Sequence, residues 1–445
     1  AAFEGSARIV LGTRLAVFTP LPELGLIDVD EEHDPSFKQQ DGMRYSARDV
    51  AVFRAHARGI PIVLGSATPS LESWANATDP RTPARYGLLT LKERAVAAAR
   101  LPAVRRIDTR LEKLQDGCCD ALLKAINERL ARGEQSLVFL NRRGYAPVLA
   151  CPACGWVSHC RRCAANLVLH LADRRLRCHH CGFETRVPRS CPTCGNQDIQ
   201  PFGRGTQRLE EVLAARFPQA RILRVDRDSA KSRKQWEVLV EQIHAGEADI
   251  LVGTQMLAKG HDFPKLTLVG AIGADSALFA ADWRAPERLF AQLMQVAGRA
   301  GRATLPGEVL IQTQFPEHPL YASLVRHDYP AFANSQLEER EQAGFPPYTY
   351  QAMLRAEAPL MADSLAFLAA AKAWPLATGH TDVMLYDPVP MRLARRANFE
   401  RAQLLIESPS RRALQVFLGA WGEWLDAIKA PSKLRWHLEV DPLEF

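Results

Sequence analysis

Eight of the ten cysteines fall into four Cys-x-x-Cys pairs: Cys151/Cys154, Cys160/Cys163, Cys178/Cys181 and Cys191/Cys194. Two residues between cysteines make a tight knuckle that aims both sulfurs at one metal ion, and such close pairs make poor structural disulfides. Four knuckles in so short a stretch predict two structural Zn2+ ions, each held by four thiolates, in a reducing cytoplasm. A disulfide framework and a redox pair are the competing readings, and spacing alone allows three ways of pairing four knuckles. Cys118 and Cys119 are left over as free thiols.

Four further stretches carry phosphate chemistry. In 27-IDVDEEHD-34 an apolar strand ends at Asp30, with Glu31, Glu32 and His33 next. Side chains beyond the carboxyl end of a strand in an open α/β sheet face the ligand crevice. An Asp there holds Mg2+ on a nucleotide's phosphates and a neighbouring Glu deprotonates water. The plain alternative is an acidic helix start. In 64-LGSATPS-70, Ser66 and Thr68 end a second buried strand and can relay the state of a cleft, or simply form a turn before Pro69. In 251-LVGTQMLAKGHDFP-264 a strand opens into a loop with Gln255, Lys259, Gly260 and Asp262, suited to a ribose or to strand backbone, or merely a connection. In 295-QVAGRAGR-302, Gln295, Arg299 and Arg302 are spaced i, i+4, i+7 and fall on one helical face. Guanidiniums aimed from there at a phosphate stabilise charge that develops during transfer; a solvated helix end is the alternative.

Such residues need a scaffold. At 445 residues the chain predicts about three domains. Hydrophobic residues make up 47% and charged residues 24%, which excludes a mostly disordered chain. No run of uncharged apolar residues is long enough for a membrane span, and the opening AAFEGSAR lacks the features of a signal peptide. A formal net charge of +6 permits a polyanionic partner. Buried strands are expected at 8–12, 24–30, 61–66, 136–140, 221–226, 249–254, 266–273 and 307–313. Helices are expected at 46–59 (apolar face Val50, Val52, Phe53), 119–134, 206–218, 231–245, 286–298 and 331–343. That alternation implies α/β architecture with parallel sheets, into which the cysteine module is inserted. Pro346-Pro347 cannot continue the last helix, and a third unit follows with strand, helix and strand patterns at 349–356, 362–374, 402–407 and 434–440.

Taken together and in this order, the motifs resemble those of superfamily 2 DNA helicases, specifically the bacterial primosomal replication-restart helicases of the PriA family, over essentially the whole chain. Asp30–His33 matches the Walker B motif, Gly65–Ser70 the coupling motif, Gly253–Pro264 the fifth motif and Gln295–Arg302 the sixth. The tail 434-LRWHLEVDPLEF-445 looks like the family's C-terminus. The resemblance implies RecA-like helicase lobes with an inserted two-zinc module and a C-terminal α+β domain. Residues 1–98 would be the C-terminal part of lobe 1, 99–148 and 201–340 lobe 2, 149–200 the zinc insertion and 341–445 the C-terminal domain. It implies ATP-dependent 3′→5′ unwinding of DNA at stalled replication forks, followed by primosome assembly. Asp30 would hold Mg2+ through water, Glu31 would be the general base, Arg302 the arginine finger and Arg299 a support for the γ-phosphate. Glu32, His33, Gly260, Asp262 and Gln295 would line the nucleotide. In the zinc module the outer pairs would share one ion and the inner pairs the other.

The segment 37-FKQQDGMRYSARD-49 resembles the family's aromatic-rich loop, which couples DNA binding to ATP hydrolysis. Phe37, Lys38, Arg44 and Tyr45 are its candidate DNA-coupling residues, and Met43 stands where Trp is common. Implied partners of this monomer are forked and single-stranded DNA, single-stranded-DNA-binding protein and other primosome proteins. No G-x-x-x-x-G-K-[ST] occurs in the 445 residues; that loop cradles the β- and γ-phosphates. In the family it precedes the point where this chain starts, so a C-terminal fragment with little or no ATP hydrolysis of its own is expected. The rival from another class is a non-catalytic DNA-binding and primosome-assembly scaffold. Residues 141–190 carry nine Arg against Asp173 and Glu184. Eight thiolates and two zinc ions together contribute −4, leaving about +3, enough for phosphate contacts but not for sequence readout. The run 392-RLARRANFER-401 is a second basic stretch, solvated or on DNA.

Overall fold

The computed structural model of the chain describes residues 2–444 except 82–84, 92–99, 142–147, 152, 163–164, 171–174, 179–180, 182, 203–205, 227–228, 231, 259–262, 279–281, 302–304 and 379–381. It divides into two units, Ala1–Leu88 with Leu337–Phe445, and Leu89–Gln336. In the first, β1 (Ile27–Asp30) pairs in parallel with β2 (Ile62–Gly65), Asp30 opposite Gly65. The two apolar runs therefore end side by side and release their motifs at one edge. Between them α1 (Ala47–Arg58) is capped by the Ser46 hydroxyl, which accepts from the Asp49 N–H, and stops at Gly59. It buries the small stripe Ala47, Ala51 and Ala55 rather than the expected Val50, Val52 and Phe53, and Phe53 is exposed. The i, i+4, i+8 alanines let the helix lie close to its neighbours, and bulk on the other faces stays outside. After β2, Ser70 caps α2 (Leu71–Thr78), which buries Leu71, Trp74 and Ala75.

The strand expected at 8–12 does not form. Among the described residues no strand lies alongside it, and Ile9 and Leu11 are 82% and 92% exposed. An apolar run without a ladder partner has nowhere to place its backbone N–H groups except water. The chain instead makes a 3-10 turn over Arg14–Phe18, tied to α1 by Arg54, which donates to the carbonyls of Val17 and Thr19.

The second unit is built on β3 (Ala103–Asp108), α3 (Asp120–Ala131), β4 (Gln135–Leu140), α4 (Thr206–Arg216), β5 (Ile222–Val225), α5 (Arg233–Ala245), β6 (Ile250–Gly253), β7 (Leu266–Ile272), α6 (Ala285–Ala297) and β8 (Glu308–Thr313). The strands run parallel in the order β5-β6-β4-β7-β8-β3. Leu122 and Ile126 of α3 and Leu213 of α4 meet Val138, Ile250, Val252 and Leu268 in the core under one face. Cys118 and Cys119 are buried in this core. β3 escapes sequence reading because it is an edge strand: Arg105 and Arg106 interrupt its apolar pattern and are satisfied by Glu308 and by the Pro316 carbonyl.

The cysteine module enters and leaves between β4 and α4 through an antiparallel ladder of 148–150 on 200–202. Inside it, 168–170, 175–177 and 184–186 form a three-stranded meander. The insertion expected within one α/β domain is what the chain makes.

Returning to the first unit, β9 (Tyr350–Ala358), α7 (Met361–Thr378), β10 (Val389–Arg396), β11 (Phe399–Ser408), α8 (Arg411–Ala427) and β12 (Arg435–Val440) make an antiparallel sheet with both helices on one face. β9 runs between β11 and β12. Leu414, Phe417, Leu418, Trp421 and Leu425 of α8 enter the core with Phe367 and Leu368. The sequence gives no clear sign of α8, because Gly419 and Gly422 interrupt its helical pattern.

Candidate functional site

The four knuckles share one backbone design. In each, the N–H of the first cysteine donates to the carbonyl five residues on: Cys151 to Trp156, Cys160 to Ala165, Cys178 to Phe183 and Cys191 to Asn196. In the two outer knuckles, Cys-Pro-x-Cys-Gly, Gly155 and Gly195 take the left-handed backbone (φ 73° and 76°) that closes the turn. The sulfurs of Cys151, Cys154, Cys191 and Cys194 gather within 4.8 Å of one another, and Cys160, Cys178 and Cys181 form a second group. The nesting implied by the resemblance is the one found; Cys163 lies outside the described residues.

Sulfur separations test the metal. Four thiolates about 2.3 Å from a tetrahedral zinc ion lie about 3.8 Å apart, whereas a disulfide needs about 2.05 Å. Cys151–Cys194 and Cys154–Cys191 are each 3.6 Å apart and Cys160–Cys181 3.7 Å. The donors therefore fit zinc and not a disulfide. Burial pushes the Cys151 thiol up, but hydrogen bonds from the Cys154 and Ala153 backbone and the Cys194 side chain outweigh it. They draw it down to about 6, while burial and the neighbouring thiols push Cys154 and Cys194 up, so the four sulfurs of the cluster divide their protons unequally.

At the β1–β2 edge the Asp30 carboxylate is exposed, with Oδ1 accepting from the Glu31 N–H at 3.0 Å. Glu31 has φ 49°, the left-handed region that costs a non-glycine residue about 1 kcal/mol or more and clusters at functional sites. Its Oε2 is buried without a hydrogen-bond partner, 3.5 Å from His33 Nδ1. His33 Nδ1 lies 2.7 Å from Ser66 Oγ, which also accepts from the Thr68 N–H. The Glu32 N–H donates to the Gly65 carbonyl. The first two motifs are thus stitched together through backbone and side chain.

Glu32 turns inward and is 2% exposed. Its Oε1 accepts from the Ser70 N–H at 2.5 Å, and its Oε2 from Ser70 Oγ, Ser73 Oγ and Arg48, each at 3.1 Å. Arg48 also donates to Ser70 Oγ at 2.8 Å. Burial would lower the Arg48 pKa, but the carboxylates of Asp49, Glu32 and Glu72 outweigh it and hold it above its ordinary value. Sequence reasoning missed Arg48 and Ser73; the signal was an Arg in the first turn of the helix that follows the motif.

The 37–46 loop is closed by an antiparallel bridge of Lys38 on Ser46 and by the Gln39 N–H on the Tyr45 carbonyl. The Lys38 side chain is 8% exposed and its ammonium donates to the carbonyl of Val440 at the end of β12. The Tyr45 ring meets Phe18 edge-on at 4.8 Å. Phe37 and Arg44 are half-buried, and Met43, at the tip, is 71% exposed. Of this loop, then, Met43 faces outward while Lys38 and Tyr45 are engaged within the unit.

In the sixth motif α6 ends at Ala297, so Arg299 lies beyond the helix and does not share a helical face with Gln295. The chain turns through Gly301, whose φ is 70° and where a Cβ would come 2.4 Å from the Gly307 nitrogen. Gln295 is half-buried and Arg299 buried. Arg302, Lys259, Gly260 and Asp262 lie outside the described residues.

Residues 341–443 match the family model of the primosomal protein N C-terminal domain. Residues 160–186 match the PriA DNA helicase Cys-rich region and 196–304 the helicase conserved C-terminal domain. The chain is 42% identical over 444 residues to the replication restart protein PriA of Haemophilus influenzae, covering 99% of this chain and 59% of that protein. For the Bacillus subtilis protein of the same name identity is 39% over 421 residues, covering 92% and 51%. For that of Rickettsia prowazekii it is 37% over 445 residues, covering 99% and 67%. The chain spans between half and two thirds of the length of these curated relatives.

Proposed function

The chain belongs to the PriA family of replication restart proteins, and from that premise we propose that it is the motor and zinc-bearing portion of an ATP-dependent 3′→5′ DNA helicase. Its substrates are stalled replication forks and single-stranded DNA, and its action there begins primosome assembly, with single-stranded-DNA-binding protein among the partners. The single observation behind the reading is the stitched β1–β2 edge. Asp30 and Gly65 end in register, His33 reaches Ser66, and Glu31 keeps one carboxylate oxygen without a hydrogen bond, 3.5 Å from His33 Nδ1.

Bound Mg2+-ATP supplies the phosphoryl group and the charge that polarises it. Asp30, exposed at the end of β1, would hold the Mg2+ ion that accompanies the nucleotide. Glu31 takes the proton of the attacking water, and its strained backbone and unpartnered oxygen suit that task. His33 reports the state of that edge to Ser66. Arg299 supports the phosphates and Arg302 is the arginine finger; Gly260, Asp262 and Gln295 line the nucleotide. Four thiolates per ion, with Cys163 completing the inner set, would leave no open coordination position, and zinc held in that way would be structural. The arginines of residues 141–190 supply phosphate contacts that position DNA without reading sequence. Residues 341–445 act as a C-terminal domain.

The purified chain tests this through forked-DNA binding by fluorescence anisotropy, together with ATP turnover. Binding that weakens steeply with salt, without turnover, is expected. No binding by the zinc-loaded chain sinks the DNA reading. Turnover that vanishes with Glu31→Gln would mean that other residues cradle the phosphates.

A further inference from the structure

The two groups of sulfurs differ in what surrounds them. In the outer group Cys151 and Cys191 are buried, but the second cysteine of each knuckle, Cys154 and Cys194, is exposed. Their neighbours Ala153, Gly155, Thr193 and Gly195 are exposed as well, and a Cβ at Gly155 or Gly195 would meet nothing within 4 Å. In the inner group Cys160 and Cys178 are buried and Cys181 is half-buried. These three pack with Leu149, Leu167, Leu169, Leu176 and Phe183 in the module's own core, and the Arg162 guanidinium lies over the Phe183 ring at 5.4 Å. The outer sulfurs also stand at the neck of the module. Cys151 directly follows the ladder segment 148–150, and Cys191 and Cys194 precede its partner, 200–202. Each exposed sulfur has a buried one of the opposite knuckle 3.6 Å away, Cys154 beside Cys191 and Cys194 beside Cys151.

We propose that Cys154 and Cys194 are oxidation sites, at which a peroxide converts the outer four-thiolate set into the disulfides Cys154–Cys191 and Cys151–Cys194 while the inner set keeps its thiolates. Oxidation of thiolates follows their exposure, so the first attack falls on Cys154 or Cys194. The attacking sulfur takes one oxygen of hydrogen peroxide as the O–O bond breaks, and the other oxygen leaves, protonated, as water. The sulfenic acid so formed meets the neighbouring thiolate of the opposite knuckle. Its S–O bond breaks as the S–S bond forms, and a second water leaves. Each disulfide thus uses two thiolates, one peroxide and two protons, and two electrons pass from sulfur to oxygen. The sulfurs close from 3.6 Å to about 2.05 Å, which the open space around Gly155 and Gly195 allows. Because both bonds join opposite knuckles, the neck exchanges a metal clamp for a covalent one. Oxidation therefore empties the outer site without opening the module. The proposal rests on the zinc reading of the cysteines, not on the motor function proposed above.

The whole chain, purified in reductant and with its zinc counted first, is exposed to hydrogen peroxide in a time course. A chelating dye reads zinc release, and peptide mass spectrometry after alkylation reads the state of each cysteine. One zinc ion of the two is expected to leave about tenfold faster than the other, with Cys154–Cys191 and Cys151–Cys194 as the disulfides. Cys160, Cys178 and Cys181 should remain alkylatable at that stage, the three-stranded meander should resist protease, and a thiol reductant with added zinc should restore the second ion. Release of both ions at one rate, earlier release from the inner set, or disulfides formed within a knuckle overturns the proposal. A chain that carries two ions and fails in one of these ways removes this inference alone. A chain that carries none contradicts the zinc reading and the inference with it.

Discussion

The zinc module and the motif edge reach their geometry by opposite routes. In the module, every ligand comes from one short stretch and one knuckle is repeated four times, each closed by the same backbone hydrogen bond. At the motif edge, Glu32, Arg48, Ser70 and Ser73 come from a strand end, a helix start and a second helix start, and no spacing rule links them. The module's chemistry is local and its energy rests on a metal. The edge's chemistry is assembled by tertiary packing and rests on buried hydrogen bonds. Local designs advertise themselves in sequence; assembled ones do not.

The sharpest way to break the comparison is to remove one ligand. Structural zinc contributes about 10–16 kcal/mol of apparent binding energy that is also folding energy. Cys191→Ser is therefore expected to halve the zinc content from two ions per chain and to loosen the module towards proteolysis. Elemental analysis and limited digestion read both effects, while β9–β12 of the other unit should stay protected.

At the edge, Glu32→Ala leaves the Ser70 N–H without its acceptor and strips Arg48 of one of its two carboxylate partners, Asp49 remaining. Breaking a buried pair costs about 3–5 kcal/mol; because the Arg48 side chain is about one fifth exposed, the lower end is expected. Denaturant unfolding measures it, and a loss below about 1 kcal/mol would return Glu32 to a ligand-facing role.

A smaller effect follows from pH. Burial, then the neighbouring Arg44, Arg355 and Arg401, lower the His437 imidazole to about 4, against about 6.5 when unfolded. Below 6.5 the unfolded chain takes up a proton that the folded chain refuses, so stability falls as pH drops from about 6.5 to 4. Asp41, also near His437, opposes the arginines without overcoming them. His437→Gln should flatten that part of the stability–pH curve of the first unit.

The smallest change is a gain. A Cβ at Gly419 meets nothing within 4 Å, so Gly419→Ala should stabilise α8 by about 0.5–1 kcal/mol, read as a rise in the thermal midpoint.

Much of this was legible. The parallel sheet was carried by its apolar runs, and the zinc ligands by spacing. The nesting of the pairs needed either resemblance or coordinates, because three pairings fit the same spacing. β3 was hidden by Arg105 and Arg106, which an edge strand tolerates, and α8 by two glycines on its open side. The strand expected at 8–12 failed because apolar composition specifies a strand only when a partner lies alongside. Glu32 was expected at the nucleotide from its place in the motif, yet its burial and four donors follow from packing that no motif encodes. Lys38 and Tyr45 were singled out for DNA by their chemistry, and their contacts with Val440 and Phe18 are tertiary features that no spacing encodes.

The central claim is that Glu31 is the general base of an ATP-driven motor. The direct measurement is DNA-stimulated ATP turnover by a chimera in which this chain replaces the matching part of the Haemophilus influenzae relative, with and without Glu31→Gln. The account predicts a loss of about 10²–10⁴-fold with forked-DNA affinity unchanged; turnover that survives the substitution would contradict it.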